Sequence, residues 1–196
     1  MVILASKSPR RRELLEQIGC SFRLVVSDAD EVADNNLDPE KLVMENARLK
    51  AAAVSRLYPD IPVVGADTVV SLAGKIYGKP QSEDMAREML SSLSGRMHAV
   101  STGIAIAWHG ELWQQAETTM VEFSELSPED IAAYVATGEP MDKAGAYGIQ
   151  GRAAAYIKGI KGSYSNVVGL PLHALCQLAR KAGADLYGDG EGASSL

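Results

Sequence analysis

The chain has 196 residues, of which 46% are apolar, with a formal charge of -6 and two cysteines. The apolar share is enough to build a core and excludes a disordered chain. The acidic balance excludes a general nucleic-acid coat, whose phosphate contacts need a net basic surface, so any anion site must be a local basic pocket.

The first strand is expected over residues 2–5, followed by Ser8 as N-cap and Pro9 at the first position of a helix running to about Gly19. Leu14, Leu15 and Ile18 mark its inner face. A second strand is expected over 22–26. Asp38-Pro39 opens a long helix whose apolar stripe reads as Leu42, Ala47, Leu49, Ala53 and Leu57, up to the break at 58–60.

Residues 63–70 are β-branched and apolar except at Asp67 and Thr68, the pattern of a central strand with polar residues midway. Ala73-Gly74 turns the chain into a partner strand ending before Gly78. Ser82 caps a helix that ends near Ser94-Gly95, with Glu83 and Asp84 set against the positive end of its dipole. Strands over 98–108 and 112–123 are joined at His109-Gly110 as a hairpin. Ser127-Pro128-Glu129-Asp130 starts the next helix, residues 153–160 read as a strand, and residues 171–182 as the last helix. Early alternation followed by adjacent hairpin strands predicts an α/β fold with a mixed sheet flanked by helices. One domain is expected over 1–187, with a flexible polar, glycine-rich tail over 188–196.

Cys20 and Cys176 both read as buried small hydrophobes; their number excludes a disulfide framework or a four-cysteine zinc site and points to a reducing compartment. The N-terminus runs apolar then basic, the reverse of a signal peptide, and no apolar run approaches membrane-spanning length. A soluble cytoplasmic protein without a membrane partner is the expectation. His98, His109 and His173 are scattered without ligand spacing and read as structural.

Four clusters carry the candidate chemistry. In Ser6-Lys7-Ser8-Pro9-Arg10-Arg11-Arg12, three arginines fall in a first helical turn, where cations oppose the helix dipole by roughly 0.3 to 1 kcal/mol each. An anion would compensate them; a solvated basic patch is the alternative. Successive helical residues diverge, so Arg10 and Arg11, nearest the cap, are the candidates to share one ligand. In Gly65-Ala66-Asp67-Thr68 a carboxylate interrupts a strand that otherwise reads as buried. Asp67 either points outward from a half-exposed face or meets a cation, a metal or a cleft. Glu31, in an acidic run after the second strand, is a candidate metal partner or a solvated loop residue.

Gly78-Lys79-Pro80 restricts Lys79 to an extended backbone that suits a phosphate oxygen, and Lys50 on the long helix is a further candidate cation or an ordinary surface lysine. In Asp142-Lys143-Ala144-Gly145-Ala146-Tyr147-Gly148-Ile149-Gln150-Gly151, three glycines allow close approach and look built to wrap something. Gln150 both donates and accepts hydrogen bonds and matches a nucleobase edge. The alternative reads Asp142 and Lys143 as a surface pair and the glycines as ordinary turns. The common NTPase, dinucleotide and serine-hydrolase motifs are absent.

In order, Leu4-Ala5-Ser6, Ser8-Pro9-Arg10-Arg11, Gly65-Ala66-Asp67-Thr68, Gly78-Lys79-Pro80, the 142–151 segment and Gly162-Ser163-Tyr164-Ser165-Asn166-Val167-Val168-Gly169-Leu170-Pro171-Leu172 resemble the Maf family of nucleoside triphosphate pyrophosphatases. The resemblance implies an elongated α/β fold with two lobes around a cleft, like that of inosine triphosphatases. It implies hydrolysis of a nucleoside triphosphate to monophosphate and pyrophosphate with a divalent cation, Mg2+ or Mn2+. Asp67 matches the family's acidic catalytic residue. Arg10, Thr68 and Gln150 match specificity-linked positions, and Ser6, Arg11, Glu31, Lys50 and Lys79 match phosphate- and metal-associated ones, with Glu31 and Asp67 as the metal carboxylates. The Ala-Gly-Ala-Tyr-Gly-Ile-Gln-Gly stretch looks like the branch acting on dTTP and UTP, with a house-cleaning role. Arg12 occupies a position that varies in the family, and Met141 stands where leucine is usual. The alternatives are a 7-methyl-GTP pyrophosphatase on the same scaffold, or a non-enzymatic nucleic-acid-binding module using the arginine-rich helix start. A homodimer is implied by the resemblance alone.

Overall fold

The computed structural model describes residues 1–34 and 37–188. Seven strands share one sheet: β1 (Val2–Leu4), β2 (Phe22–Leu24), β3 (Val63–Leu72), β4 (Lys75–Tyr77), β5 (Met97–Trp108), β6 (Glu111–Phe123) and β7 (Ile157–Lys161). The order is β2-β1-β3-β5-β6-β7, with β4 also paired to β3. β1 runs parallel to β2 and β3, and the other pairs are antiparallel, so the sheet is mixed as expected. Both tight hairpins form at the anticipated residues. Ala73 and Gly74, and likewise His109 and Gly110, have positive φ at both positions, the primed turn whose twist matches the flanking strands.

Helices α1 (Pro9–Gln17), α2 (Pro39–Ser55), α3 (Glu83–Leu93), α4 (Pro128–Val135), α5 (Tyr164–Val168) and α6 (Leu172–Ala182) flank the sheet. Their starts follow local chemistry. The Asp38 side chain accepts from the N–H groups of Glu40 and Lys41, Ser82 from Met85, and Ser127 and Asp130 form a reciprocal capping box. β3 divides its side chains by alternation. Val63 packs with Ala47, Ala51 and Val54 of α2, whereas Val64 and Ala66 pack with Leu14 and Leu15 of α1 and Leu175 of α6. A third cluster joins α3 and α4 to the far part of the sheet around Val100, Phe123 and Tyr147.

α2 lies against β3 and β5 where both strands carry glycine. A Cβ on Gly65 would overlap the Ala47 carbonyl oxygen and stand 2.8 Å from Ala51 N. A Cβ on Gly103 would overlap the Val43 carbonyl and stand 2.5 Å from Met44 N. Gly103 is the β5 partner of Asp67. The missing side chains therefore let the helix backbone settle onto the sheet beside the carboxylate.

Several expectations are corrected. The stripe of α2 is Leu42, Val43, Asn46, Ala47, Ala51 and Val54; Leu49 and Ala53 are half-buried and Leu57 is 70% exposed, because the helix ends at Ser55. The strand expected from 153 begins at Ile157, after a 3-10 turn over Arg152–Tyr156, and the one-turn α5 was not anticipated. Cys20 is buried, and burial pushes its thiol up to about 11, but Cys176 is only half-buried. Apart from Gly188, the tail expected over 188–196 lies outside the described residues.

His98 is structural as expected. It is 1% exposed, its Nε2 lies 2.8 Å from the Tyr147 hydroxyl, and its ring meets Phe123 edge-on. Burial pulls its pKa from 6.5 to about 4. The unfolded chain takes up that proton first, so stability is lost as pH falls from about 6.5 towards 4. The expected contribution is about 2 kcal/mol of lost stability at pH 5.0 relative to pH 7.5. Urea unfolding at the two pH values measures it, and His98→Phe should flatten the difference whatever its own stability.

Candidate active site

On the edge of β3 away from β5, β1 pairs with Val63 and Val64, and β4 pairs with Val70, Ser71 and Leu72. Residues 65–69 lie between these two ladders without a β1 or β4 partner, so their backbone groups must bond elsewhere. The Ala66 carbonyl accepts from Arg11 at 2.9 Å on one side and lies 3.5 Å from Lys50 Nζ on the other. Alternation then sends the next two side chains apart. Asp67 turns to the α2 face and Thr68 to the α1 face, each meeting the cation that flanks the gap.

Asp67 is 9% exposed. Its Oδ1 lies 2.8 Å from Lys50 Nζ, and its Oδ2 accepts from Asn46 Nδ2 at 3.1 Å. The outward-facing alternative is thereby removed. Lys50 also holds Glu31 at 3.1 Å, so one ammonium joins the two candidate metal carboxylates. Asn46 was missed in the sequence because an amide on a helix face carries no chemical signature. The detectable signal was its position, since Asn46 stands on the same helical face as Lys50, four residues on.

The three arginines find their compensation inside the protein. Arg10 Nη1 lies 2.9 Å from Asp142 Oδ2, and Arg12 Nε lies 3.3 Å from Glu16. Arg11 donates to Gly169 O at 2.7 Å, Ala66 O at 2.9 Å, Thr68 Oγ1 at 3.1 Å and Ser6 Oγ at 3.3 Å. Burial lowers its pKa, with the charge of Asp67 acting in the opposite sense. Arg11 is thus a tie between α1, β3 and the α5–α6 connection. Ser8 is the N-cap as expected, though without a side-chain cap bond, and Ser6, 8% exposed, accepts from Arg11 and from the Ser8 N–H at 3.2 Å.

Across the gap stands the 142–151 segment. What its glycines wrap first is its own chain. A Cβ on Gly145 would meet Val70, one on Gly148 the Lys143 side chain, and one on Gly151 the Glu139 carboxylate. That carboxylate accepts from the Tyr134 hydroxyl at 2.8 Å and from Arg152 N at 3.1 Å. Lys143 Nζ donates to Glu139 O and Asp142 Oδ1, both at 2.7 Å. Asp142 and Lys143 are therefore a pair, but one that also reaches Arg10 on the opposite wall. Partial burial would raise the Asp142 pKa; hydrogen bonds and charge from Lys143 and Arg10 outweigh it and hold the carboxyl at about 2.

The cleft between these walls measures about 390 Å³, within the range of small-molecule sites. Arg10, Arg11, Glu31, Lys50, Asp67, Thr68, Lys79 and Gln150 all line it, and Ser6 sits behind Arg11. Lys79 and Gln150 are exposed and have no hydrogen-bonding or ionic partner among the described residues. Gly145 N–H donates to Gly78 O at 3.0 Å, which fastens the Lys79 loop to the segment carrying Gln150. Free donors thus remain at the mouth, while the floor is internally bonded.

Among the described residues no helix is long and apolar enough to cross a membrane. A family model described as Maf-like protein matches residues 1–182. A protein of Symbiobacterium thermophilum named dTTP/UTP pyrophosphatase is 51% identical over 191 residues, covering 97% of this chain and 98% of its own. Proteins of the same name from Pelotomaculum thermopropionicum and Thermococcus kodakarensis are 48% and 49% identical, covering 93% and 91% of this chain and 96% and 95% of their own.

Proposed function

The chain belongs to the Maf family, and we propose that it is a nucleoside triphosphate pyrophosphatase that hydrolyses dTTP and UTP to the monophosphate and pyrophosphate. The observation that carries this reading is near-full-length identity of about one half to relatives bearing that name, in a chain whose cleft gathers a lone buried carboxylate and cations on both sides. Each arginine of the first turn is engaged within the protein, which removes the main support for an oligonucleotide-binding module.

In this reading the triphosphate lies along the cleft with Lys79 and Arg10 as its direct cationic contacts. Arg10 has Asp142 as its present partner, so it turns from one anion to another. Arg11 contributes a fixed positive wall, since its donors already serve protein acceptors, Ser6 Oγ among them. Asp67, held by Lys50 and Asn46, takes the proton of a water that attacks the α-phosphorus. The bond to the bridging oxygen then breaks, and pyrophosphate leaves. Phosphoryl transfer of this kind depends chiefly on positioning and charge neutralisation, which the flanking cations supply.

The donor set suits a divalent cation. Asp67 and Glu31 offer hard oxygens to one ammonium, and Mg2+ commonly binds through one or two carboxylates plus substrate phosphates. Among the described residues no group of three or more His, Cys, Asp or Glu is placed to hold an ion, so substrate oxygens would complete the shell. When bound, the ion neutralises charge on the phosphate oxygens.

Gln150, free at the mouth, is the group for the uracil or thymine edge, with Thr68 and Arg10 setting the approach. A site built to bond a base edge rejects bases that leave its polar groups unpaired. The catalytic unit is read as one domain over 1–187. Two unpaired cysteines suit the cytoplasm as its compartment. A homodimer belongs to the same reading, and sedimentation velocity measures it directly.

A panel of dTTP, UTP, CTP, GTP and 7-methyl-GTP, each with Mg2+, Mn2+ and no added metal, tests the assignment through phosphate released after added inorganic pyrophosphatase. We expect dTTP and UTP to exceed the others in kcat/KM by about tenfold or more. Preference for 7-methyl-GTP would assign the chain to the other branch, and absence of pyrophosphate release from every nucleotide would remove the activity.

A further inference from the structure

Asn46 is 3% exposed on the inner face of α2, where apolar side chains otherwise pack. An apolar residue would fill that place without desolvating an amide, so the asparagine needs another reason. Its amide is almost fully used. Oδ1 accepts from the Val32 N–H at 2.7 Å, while Nδ2 donates to Val32 O at 3.2 Å and to Asp67 Oδ2 at 3.1 Å. Val32 also settles which end of the amide is which: its N–H can only donate, so the oxygen must face it and the NH2 must face Asp67.

We propose that Asn46 is a positioning residue for the hydrolysis, fixing the plane of the Asp67 carboxylate and tying it to the segment that carries Glu31. The inference rests on the reading of Asp67 as the group that activates water. Lys50 alone would leave the carboxylate free to rotate about a single contact. With Oδ1 on Lys50 and Oδ2 on Asn46, the two oxygens are anchored from two points of the same helix, four residues apart. The paired bonds to Val32 act as a backbone-like clamp, so residues 31–33 and Asp67 move together with α2.

The test is a double-mutant cycle with Asn46→Ala and Asp67→Asn, singly and together, measured for UTP in the full-length protein, with single turnover under excess enzyme for the slow variants. Asn46→Ala is expected to lower kcat about tenfold or more, the usual scale for a supporting partner, with KM within about twofold. In the Asp67→Asn background the same change should lower turnover no further, because the group it orients is gone. Equal losses in both backgrounds would mark Asn46 as scaffold only, and an Asn46→Ala kcat within twofold of the parent would end the proposal. If Asn46→Ala lacks a cooperative melt, Asn46→Asp serves. It keeps the size and the acceptor for Val32 but sets carboxylate against carboxylate, so an unchanged kcat at pH 9 overturns the inference equally. Full turnover in Asp67→Asn itself would sink the underlying reading, an outcome distinct from a dead Asp67→Asn beside a normal Asn46→Ala.

Discussion

Asp67→Asn is expected to lower kcat for UTP by about a thousandfold, within the span attributed to a positioned general base, while KM changes by less than about threefold. The amide has nearly the size of the carboxylate, and Lys50 keeps Glu31 and the Ala66 carbonyl as partners, so the ammonium is not stranded. One new conflict arises. An amide at 67 cannot offer oxygen to both Lys50 Nζ and Asn46 Nδ2, the two donors that Asp67 satisfies. A loss of about 1 to 2 kcal/mol follows from that mismatch. Turnover measured alongside a thermal melt separates the two effects. Near-normal kcat would remove Asp67 from the chemistry, and a collapse of the melt would show that the variant tests folding instead.

Gly103→Ala is the stability counterpart. The added Cβ meets Val43 C=O and Met44 N, backbone atoms of a helix that cannot rotate aside as a side chain can. Overpacking against rigid neighbours is expected to destabilise by about 3 kcal/mol. Gly159→Ala is the control, since nothing lies within 4 Å of its Cβ and its φ is not positive. Urea midpoints of the two variants should differ clearly, with Gly159→Ala near the parent. The surviving folded fraction of Gly103→Ala should also be a poorer enzyme. Lifting α2 off β5 opposite Asp67 draws Lys50 and Asn46 away from the carboxylate. Equal stability of the two variants would show that α2 does not rest on the sheet at this point.

Local rules carried most of the fold. The caps at Asp38, Ser82 and Ser127 and the hairpins at 73–74 and 109–110 depend on neighbouring residues, and each formed where the residue types required. The strand signal at 153 failed because Arg152–Tyr156 are held as a 3-10 turn by what lies around them, including the bond from Arg152 N to Glu139. Within the site, Asp67 and the cations were legible because a charge in an apolar strand, or three cations at a helix start, is locally anomalous. Their partners were not. The arginine cluster suggested a missing anion, whereas Asp142 lies 132 residues away in sequence from Arg10 and the carbonyls that hold Arg11 have no sequence identity at all. Asn46 meets Asp67 through the closeness that Gly65 and Gly103 permit, a property of packed surfaces and not of spacing along the chain.

The opposed directions of Asp67 and Thr68 also bear on how this protein can change over generations. Nine consecutive residues of β3 are matched to β5, and shortening the stretch ahead of Asp67 by one would deliver the hydroxyl to Lys50 and the carboxylate to Arg11, exchanging the two sides of the cleft. Indels are therefore barred from β3 before the aspartate, whereas the turn at 73–74, beyond the last matched pair, is open to them. On this geometry the tip is expected to tolerate a change of length, whereas a one-residue shift of β3 would turn Asp67 away from Lys50 and Asn46.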